Sequence, residues 1–206
     1  MRKVPFVGDE YYHVYNRGVD KRPIFKDLHD LSRFFQSMEL FNSVEPIGSI
    51  FELSFGKEKI RNHEKLVEII CYCLNPNHFH FILRQLVDDG ISEFMKRLGG
   101  YTWYFNNRHK RNGALFQGKF KSSHINSNEY LLHVSAYVNL NNRFKGRPTM
   151  LSKSSWDEYL EKTKYCICSP DIVLGQFRTP KEYEAFALST LEYIIRRKEM
   201  EKELEF

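Results

Sequence analysis

The feature that most constrains the fold is a pair of apolar runs joined by a short turn, between Leu66 and Leu83. Both runs contain β-branched and aromatic residues, and the linking Asn75-Pro76-Asn77 is typical of a turn. The sequence therefore predicts an antiparallel β-hairpin. Because side chains two residues apart on a strand lie on the same side of the sheet, His78 and His80 share one face at the start of the second strand.

Two neighbouring imidazoles at the accessible end of a strand indicate a metal site, because neutral imidazole is a common metal ligand. A plainer alternative is that both rings are packed and hydrogen-bonded without any ligand. The pair therefore points to a metal only if another part of the chain brings a further ligand to His78 and His80.

A later segment supplies candidates for that ligand and for a nucleophile. Asn126, followed by Glu129, is a capping pair that predicts the start of a helix running to Asn141. Tyr137 and Asn141 are four residues apart, which places a phenol and a carboxamide on one face of this helix. Together with the two imidazoles they could form a metal-dependent site that cleaves phosphodiesters. The alternative is a tyrosine at the edge of the core and an asparagine that ends the helix.

The charge of the chain is concentrated in one part of the sequence. Ten basic residues and one acidic residue lie between Lys96 and Arg147, whereas the rest of the chain holds 21 basic and 25 acidic residues. Aromatic residues are interleaved with the basic ones, as a surface that follows phosphates and stacks bases requires. This asymmetry favours a nucleic-acid partner over a merely solvated face. The candidates for phosphate contacts are Arg17, Lys119, Lys121, Arg143, Lys145 and Arg147.

The remaining patterns predict strands and helices around the hairpin. Tyr11 to Gly18 predicts a first strand, and Asp27 can cap a helix whose apolar residues recur at helical spacing. Helical periodicity also predicts a helix from about Ile91 to Asn107, and residues 115–125 predict a further strand, while residues 50–55 allow a short one. The order strand, helix, two strands, helix, strand predicts an α+β fold in which helices cover an antiparallel sheet.

With 206 residues and 42% hydrophobic content, the chain can bury a sizeable core. We expect residues 1–150 to form one domain and residues 151–206 to form a C-terminal helical extension. The final helix begins near Thr179-Pro180, and packing on the domain, fraying and pairing of two subunits are all open for it. No apolar stretch approaches the roughly 18 residues that cross a bilayer, and the first residues lead into no signal-peptide core, so we expect a cytoplasmic protein.

The four cysteines form two pairs, Cys71 with Cys73 and Cys166 with Cys168. This spacing differs from the Cys-x-x-Cys of structural zinc sites. The first pair lies in an apolar strand, which favours buried, reduced thiols. A four-thiolate zinc site is the weaker alternative.

Five segments of the chain resemble the one-tyrosine HUH transposases of the insertion-sequence type, including the REP-associated tyrosine transposases. They occur in the family's order and span most of the chain between Tyr11 and Arg147. The segments are Tyr12–Gly18, Asn75–His80, Tyr101–Asn106, Leu115–Lys121 and Tyr130–Asn141.

The resemblance implies a fold and a set of roles. The family's catalytic domain is built on a ferredoxin-like antiparallel sheet. His78 and His80 are similar to its two metal ligands, Tyr137 to its nucleophile, and Asn141 to its third ligand. Where the family often ends this helix with Asn-Pro, the chain has Asn141 followed by Asn142, so the ligand is kept and the proline stop is absent.

The resemblance also implies an activity. A divalent cation, Mg²⁺ or Mn²⁺, would assist attack by the tyrosine on single-stranded or hairpin DNA, leaving a 5′-phosphotyrosine link and a free 3′-hydroxyl that permits strand transfer. We therefore expect a transposase with DNA endonuclease and strand-transfer activity. Two alternatives are a DNA-binding module that has lost cleavage and an HUH nuclease of replication or plasmid transfer. A homodimer and a monomer are both compatible with the sequence.

Overall fold

The computed structural model describes residues 5–45, 64–144 and 146–204. The strands are β1 (Tyr11–Arg17), β2 (Val67–Asn75), β3 (His78–Gln85), β4 (Lys121–Ile125) and β5 (Lys153–Ser154). The helices are α1 (Leu28–Leu40), α2 (Gly90–Gly99), α3 (Tyr101–Arg108), α4 (Asn128–Asn139), α5 (Trp156–Tyr159), α6 (Asp171–Leu174) and α7 (Pro180–Leu204). Short 3₁₀ turns cover Val19–Lys21 and Asn141–Arg143. Among these helices, none is both long and apolar enough to cross a membrane.

The strands form one antiparallel sheet in the order β4-β1-β3-β2-β5. Helix α1 connects β1 to β2, and helices α2 and α3 connect β3 to β4. This is the βαββαβ arrangement of ferredoxin-like folds, with β5 added at the β2 edge. The predicted α+β class and the expected ferredoxin-like sheet are both confirmed.

The two faces of the sheet are covered by different elements. Phe79, Phe81 and Leu83 of β3 are buried in a core that includes residues of α1, α2 and α3. Ile82 lies on the opposite face, in a second core that includes residues of α4 and α7. The alternation of the strand therefore turns His78 and His80 toward α4, on the opposite side from the phenylalanines.

Local sequence signals explain several elements. The Asp27 carboxylate accepts a hydrogen bond from Asp30 N at 3.0 Å and caps α1, as predicted. The predicted hairpin is confirmed, with Pro76 and Asn77 between the two strands. The predicted helix from about Ile91 is instead divided at Gly100 into α2 and α3.

Two other predictions need correction. The cap of α4 is Ser127 rather than Asn126, because the Ser127 hydroxyl accepts from Tyr130 N at 3.2 Å. The strand predicted over residues 115–125 is confined to β4, because Gly118 has a φ of 70° and the chain turns there. The short strand expected within residues 50–55 lies outside the described residues.

The C-terminal segment contributes to the second core. Strand β5 pairs with β2, and Trp156, Tyr159 and Tyr183 are buried in the same core as α4. The fully buried Ser155 side chain joins these elements. Its hydroxyl accepts a hydrogen bond from Tyr72 N at 2.9 Å and donates one to Asn139 Oδ1 at 2.6 Å.

We predict that Ser155→Ala lowers the free energy of unfolding by about 1–3 kcal/mol, because it leaves a buried donor and a buried acceptor without partners. Urea denaturation of the full chain measures the change. Ser152→Ala is the matched control, since its hydroxyl donates to Thr149 O on the exposed surface; its stability should stay within about 0.5 kcal/mol of the wild type. Equal stability of the two variants would contradict the bridging role of Ser155.

Candidate active site

The β2–β3 turn is held rigidly where the histidines begin. Pro76 O accepts hydrogen bonds from Ile24 N at 2.7 Å and Phe25 N at 3.1 Å. Asn77 O accepts from Gly18 N at 2.8 Å. Only glycine fits at position 18, because a Cβ there would lie 2.1 Å from Arg22 O. The loop after β1 therefore fixes the turn that leads into His78.

His78 is oriented by hydrogen bonds to both ring nitrogens. Its Nδ1 lies 2.6 Å from Asn77 Oδ1, and the Asn77 amide nitrogen donates to Lys21 O at 3.0 Å. Because Asn77 Oδ1 is an acceptor, Nδ1 of His78 is the donor, and a neutral His78 carries its lone pair on Nε2. The sequence pattern did not identify this anchor.

The lone pair of His78 faces the side chain of Asn141, in the 3₁₀ turn that follows α4. Nε2 of His78 lies 2.9 Å from Asn141 Oδ1. Asn75 Nδ2 donates to Asn141 Oδ1 at 2.9 Å and lies 3.1 Å from His78 Nε2. Two lone-pair atoms from β3 and from the 3₁₀ turn after α4 are thus brought together, as at a cation site.

His80 lies beside His78, with 5.2 Å between the ring centroids. Its Nδ1 lies 2.9 Å from Nε2 of His13, which belongs to the neighbouring strand β1. Burial lowers the pKa of His13 to about 4, so this ring is neutral at pH 7. His80 is therefore hydrogen-bonded to an uncharged partner through Nδ1.

Tyr137 projects from α4 toward the same histidines. Its ring lies 5.5 Å from that of His80 and 6.0 Å from that of His13, nearly perpendicular to both. Burial raises the pKa of Tyr137, and a hydrogen bond with Asn141 acts in the opposite direction. The Tyr137 side chain is consequently a phenol at neutral pH, next to the proposed ligands.

Two clefts open on either side of His78. One has a volume of about 470 Å³ and is lined by residues that include Tyr15, Arg17, His80 and Lys121. The other has a volume of about 400 Å³. Residues that line it include Tyr137, Asn141, Phe144 and Arg147. Of the four residues predicted from the sequence, His78 lines both clefts, His80 lines the first, and Tyr137 and Asn141 line the second.

The predicted phosphate-contacting residues occupy different places. Arg17, Lys121 and Arg147 line the two clefts, and Nε of Arg17 donates to the Gln117 side chain. Lys119 lines a separate, smaller pocket with aromatic residues. The Arg143 guanidinium lies 5.5 Å above the Trp156 ring, beside the C-terminal segment. Lys145 lies outside the described residues.

A second group of side chains has the spacing of a metal site. Within the described ranges, Asp27, Asp30 and His109 are the one group of three His, Cys, Asp or Glu residues whose ligand atoms lie within 4.8 Å of one another. Arg108 donates to both carboxylates, at 2.7 Å each, so the group stabilises the start of α1. The four cysteines form no such group.

Part of the chain is similar to a known protein family. Residues 57–141 match the family described as "Transposase IS200 like". A solved structure described as a REP-associated tyrosine transposase bound to a REP hairpin is 14% identical to this chain. The match covers 82% of this chain and 89% of the solved chain, with a TM-score of 0.48. No curated protein sequence matches the chain. The matched residues include the hairpin, Tyr137 and Asn141, and over this stretch the chain is similar to the IS200-like transposases.

Proposed function

We propose that the protein is a metal-dependent single-stranded DNA endonuclease and strand transferase, a transposase that acts through a 5′-phosphotyrosine intermediate. The convergence of Tyr137 with His78, His80 and Asn141 carries this proposal. A phenol, two imidazoles and a carboxamide come from two separate segments, β3 and the end of α4 with its following turn, and they line two clefts that contain basic side chains. The similarity of residues 57–141 to the IS200-like transposases supports the same chemistry.

The ligand set fits a divalent cation. His78 Nε2 and Asn141 Oδ1 present lone pairs 2.9 Å apart, and His80 lies on the same face of the sheet. Nitrogen ligands suit Mn²⁺, whereas Mg²⁺ prefers oxygen, so we favour Mn²⁺ while expecting Mg²⁺ to be accepted. A bound cation would polarise the scissile phosphate and offset charge that develops during cleavage.

Tyr137 is the proposed nucleophile. Its phenolic oxygen forms a bond to the phosphorus while the bond between phosphorus and the 3′ oxygen breaks, and the phenolic proton is lost as the 3′ oxygen gains one. The hydrogen bond with Asn141 favours the phenolate, against the burial that disfavours it. The phosphotyrosine link keeps the phosphodiester bond energy, so the 3′-hydroxyl of a second strand can reverse the step and join the DNA.

The two clefts suit an unpaired strand. A strand that runs from one cleft to the other passes His78, with Arg17 and Lys121 on one side and Arg147 on the other. Phosphates within reach of these cations would be held in register across the cleavage position. Half-buried Tyr137 is better approached by an unstacked strand than by a rigid duplex, which favours single-stranded DNA beside a hairpin. We propose that Lys119, Arg143 and Lys145 contribute to the wider footprint.

We predict that Tyr137→Phe abolishes covalent attachment to DNA, because the nucleophilic oxygen is removed. Labelled hairpin oligonucleotides from the flanks of the gene are incubated with protein and Mn²⁺ or Mg²⁺ and resolved on a denaturing gel. Tyr130→Phe is the matched control, since Tyr130 lies on the same helix and is 40% exposed; it should retain the adduct. An adduct that persists in Tyr137→Phe contradicts the assignment. DNA binding by the wild type without any adduct favours a non-catalytic binding module.

We predict that Asn141→Ala weakens Mn²⁺ binding by at least about tenfold and lowers adduct formation in parallel, because it removes one ligand. Electron paramagnetic resonance titration measures free Mn²⁺ directly. The matched control is Asn142→Ala, which removes the neighbouring carboxamide. EDTA should abolish the wild-type adduct and added Mn²⁺ should restore it. Unchanged Mn²⁺ affinity in Asn141→Ala would exclude this residue as a ligand.

We predict that replacing Arg17, Lys121 and Arg147 together by Gln weakens single-stranded DNA binding and flattens its salt dependence. Each lost phosphate contact lowers the slope of log K against log salt by about 0.7, so three lower it by about 2. Fluorescence anisotropy between about 50 and 200 mM salt measures the slope. The control removes equal charge outside the tract from Lys96 to Arg147, by Lys65→Gln, Lys162→Gln and Lys181→Gln. An unchanged slope in the first variant removes these residues from the footprint.

A further inference from the structure

We propose that His13 is a positioning residue that fixes the tautomer and orientation of His80 in the metal site. This inference rests on the proposed function, because it assigns His13 a role toward the proposed cation. The bond between His80 Nδ1 and His13 Nε2, 2.9 Å long, is the observation that carries it.

The two rings meet in the geometry of a hydrogen bond. Their planes differ by 19° and their centroids are 5.2 Å apart, far more than the 2.9 Å between the two nitrogens. The rings are therefore nearly coplanar and meet edge to edge, so that one nitrogen points at the other. A face-to-face stack would not bring the two nitrogens together in this way.

The register of β1 against β3 places His13 beside His80. Tyr15 of β1 lies directly opposite His80 of β3, and His13 lies two residues earlier in β1, opposite Ile82. His13 and Tyr15 therefore both lie on the face of the sheet that carries His80. The contact therefore joins the proposed ligand to a neighbouring, hydrogen-bonded strand rather than to a mobile loop.

The bond selects which His80 nitrogen can bind a cation. A neutral imidazole has one N–H donor and one lone-pair acceptor. When His13 Nε2 accepts, the proton of His80 is held on Nδ1, and the lone pair lies on Nε2, the nitrogen that would ligate the metal. In the opposite tautomer Nε2 of His80 carries a proton and cannot be a ligand. Metal-binding histidines generally donate their second nitrogen to such a partner, which fixes the ring and raises its basicity.

Nδ1 of His78 is also hydrogen-bonded within the protein, but to a different kind of partner. This nitrogen lies 2.6 Å from Asn77 Oδ1, the amide oxygen of the preceding residue. Both histidines thus have Nδ1 anchored within the protein, and Nε2 is the ligating nitrogen assigned to each. An amide oxygen can only accept a hydrogen bond, whereas an imidazole nitrogen accepts only in the matching tautomer, so His13 must itself keep its proton on Nδ1.

The test compares His13→Leu with His13→Gln in the full chain. Leucine removes the acceptor, and we expect Mn²⁺ affinity, measured by electron paramagnetic resonance titration, to fall about 10- to 100-fold. Glutamine can present an amide oxygen to His80 Nδ1, and we expect it to restore most of the affinity. The control His124→Leu removes a histidine that lies opposite Tyr12, on β4, and should bind Mn²⁺ like the wild type.

The outcomes separate this inference from the proposed function. If the wild type binds Mn²⁺ and His13→Leu binds it equally well, His13 has no positioning role while the proposed function stands. Equal losses in the folded Leu and Gln variants would overturn the acceptor role. If the wild type neither binds Mn²⁺ nor forms an adduct, the proposed function itself fails.

A measurement on the unchanged protein covers the case of a variant that does not fold. Long-range ¹H–¹⁵N correlation spectra distinguish the two imidazole tautomers in the metal-free wild type. We expect His80 to be protonated on Nδ1. Protonation of His80 on Nε2 would overturn the inference without any substitution.

Discussion

The pairing of β2 with β3 around a two-residue turn is the constraint on which the site depends. Asn75 lies directly opposite His78 in this register, which is why the Asn75 amide can reach both His78 Nε2 and Asn141 Oδ1. A shift of β3 by one residue relative to its neighbours would turn the histidines to the other face, into the phenylalanine core. The hydrogen bonds from Ile24 N and Phe25 N to Pro76 O resist such a shift, since they attach the turn to the chain after β1.

Burial acts on two titratable side chains beside the proposed ligands, His13 and Tyr137. It lowers the pKa of His13 and raises that of Tyr137, and both effects favour the neutral forms. Positive charge is placed at the rims instead, on Arg17 and Arg147. In the proposed function the two tasks of the site are separated, because the cationic rims would hold phosphates on either side while the centre would offer lone pairs to a metal.

Local patterns predicted the elements, whereas contacts between distant segments escaped them. The Asp27 cap and the hairpin depend on residues close in sequence, and the structure contains both. The helix predicted to run to Asn141 ends at Asn139, and Asn141 lies in the 3₁₀ turn that follows, although its side chain still contacts Tyr137. His13 is 67 residues from its partner His80, and only the register of β1 against β3 brings the two rings together. Strand β4 begins later than predicted for a related reason: nothing in the apolar pattern distinguishes a strand from a loop that turns at Gly118.

The C-terminal segment has a physical connection to the proposed nucleophile. Asn139 lies two residues after Tyr137 on α4, and its buried side chain donates from Nδ2 to the Tyr183 hydroxyl at 2.8 Å while Oδ1 accepts from Ser155 at 2.6 Å. The amide thus attaches the last turn of α4 to α7 on one side and to the residue after β5 on the other. Tyr137 and Asn141 project from the opposite side of the last turn of α4 and of the 3₁₀ turn that follows it. The C-terminal segment therefore supports the end of α4, from which the phenol and the carboxamide approach His78. Buried, fully paired polar groups specify one arrangement more strictly than apolar contacts do, which is the property that a site built from several segments requires.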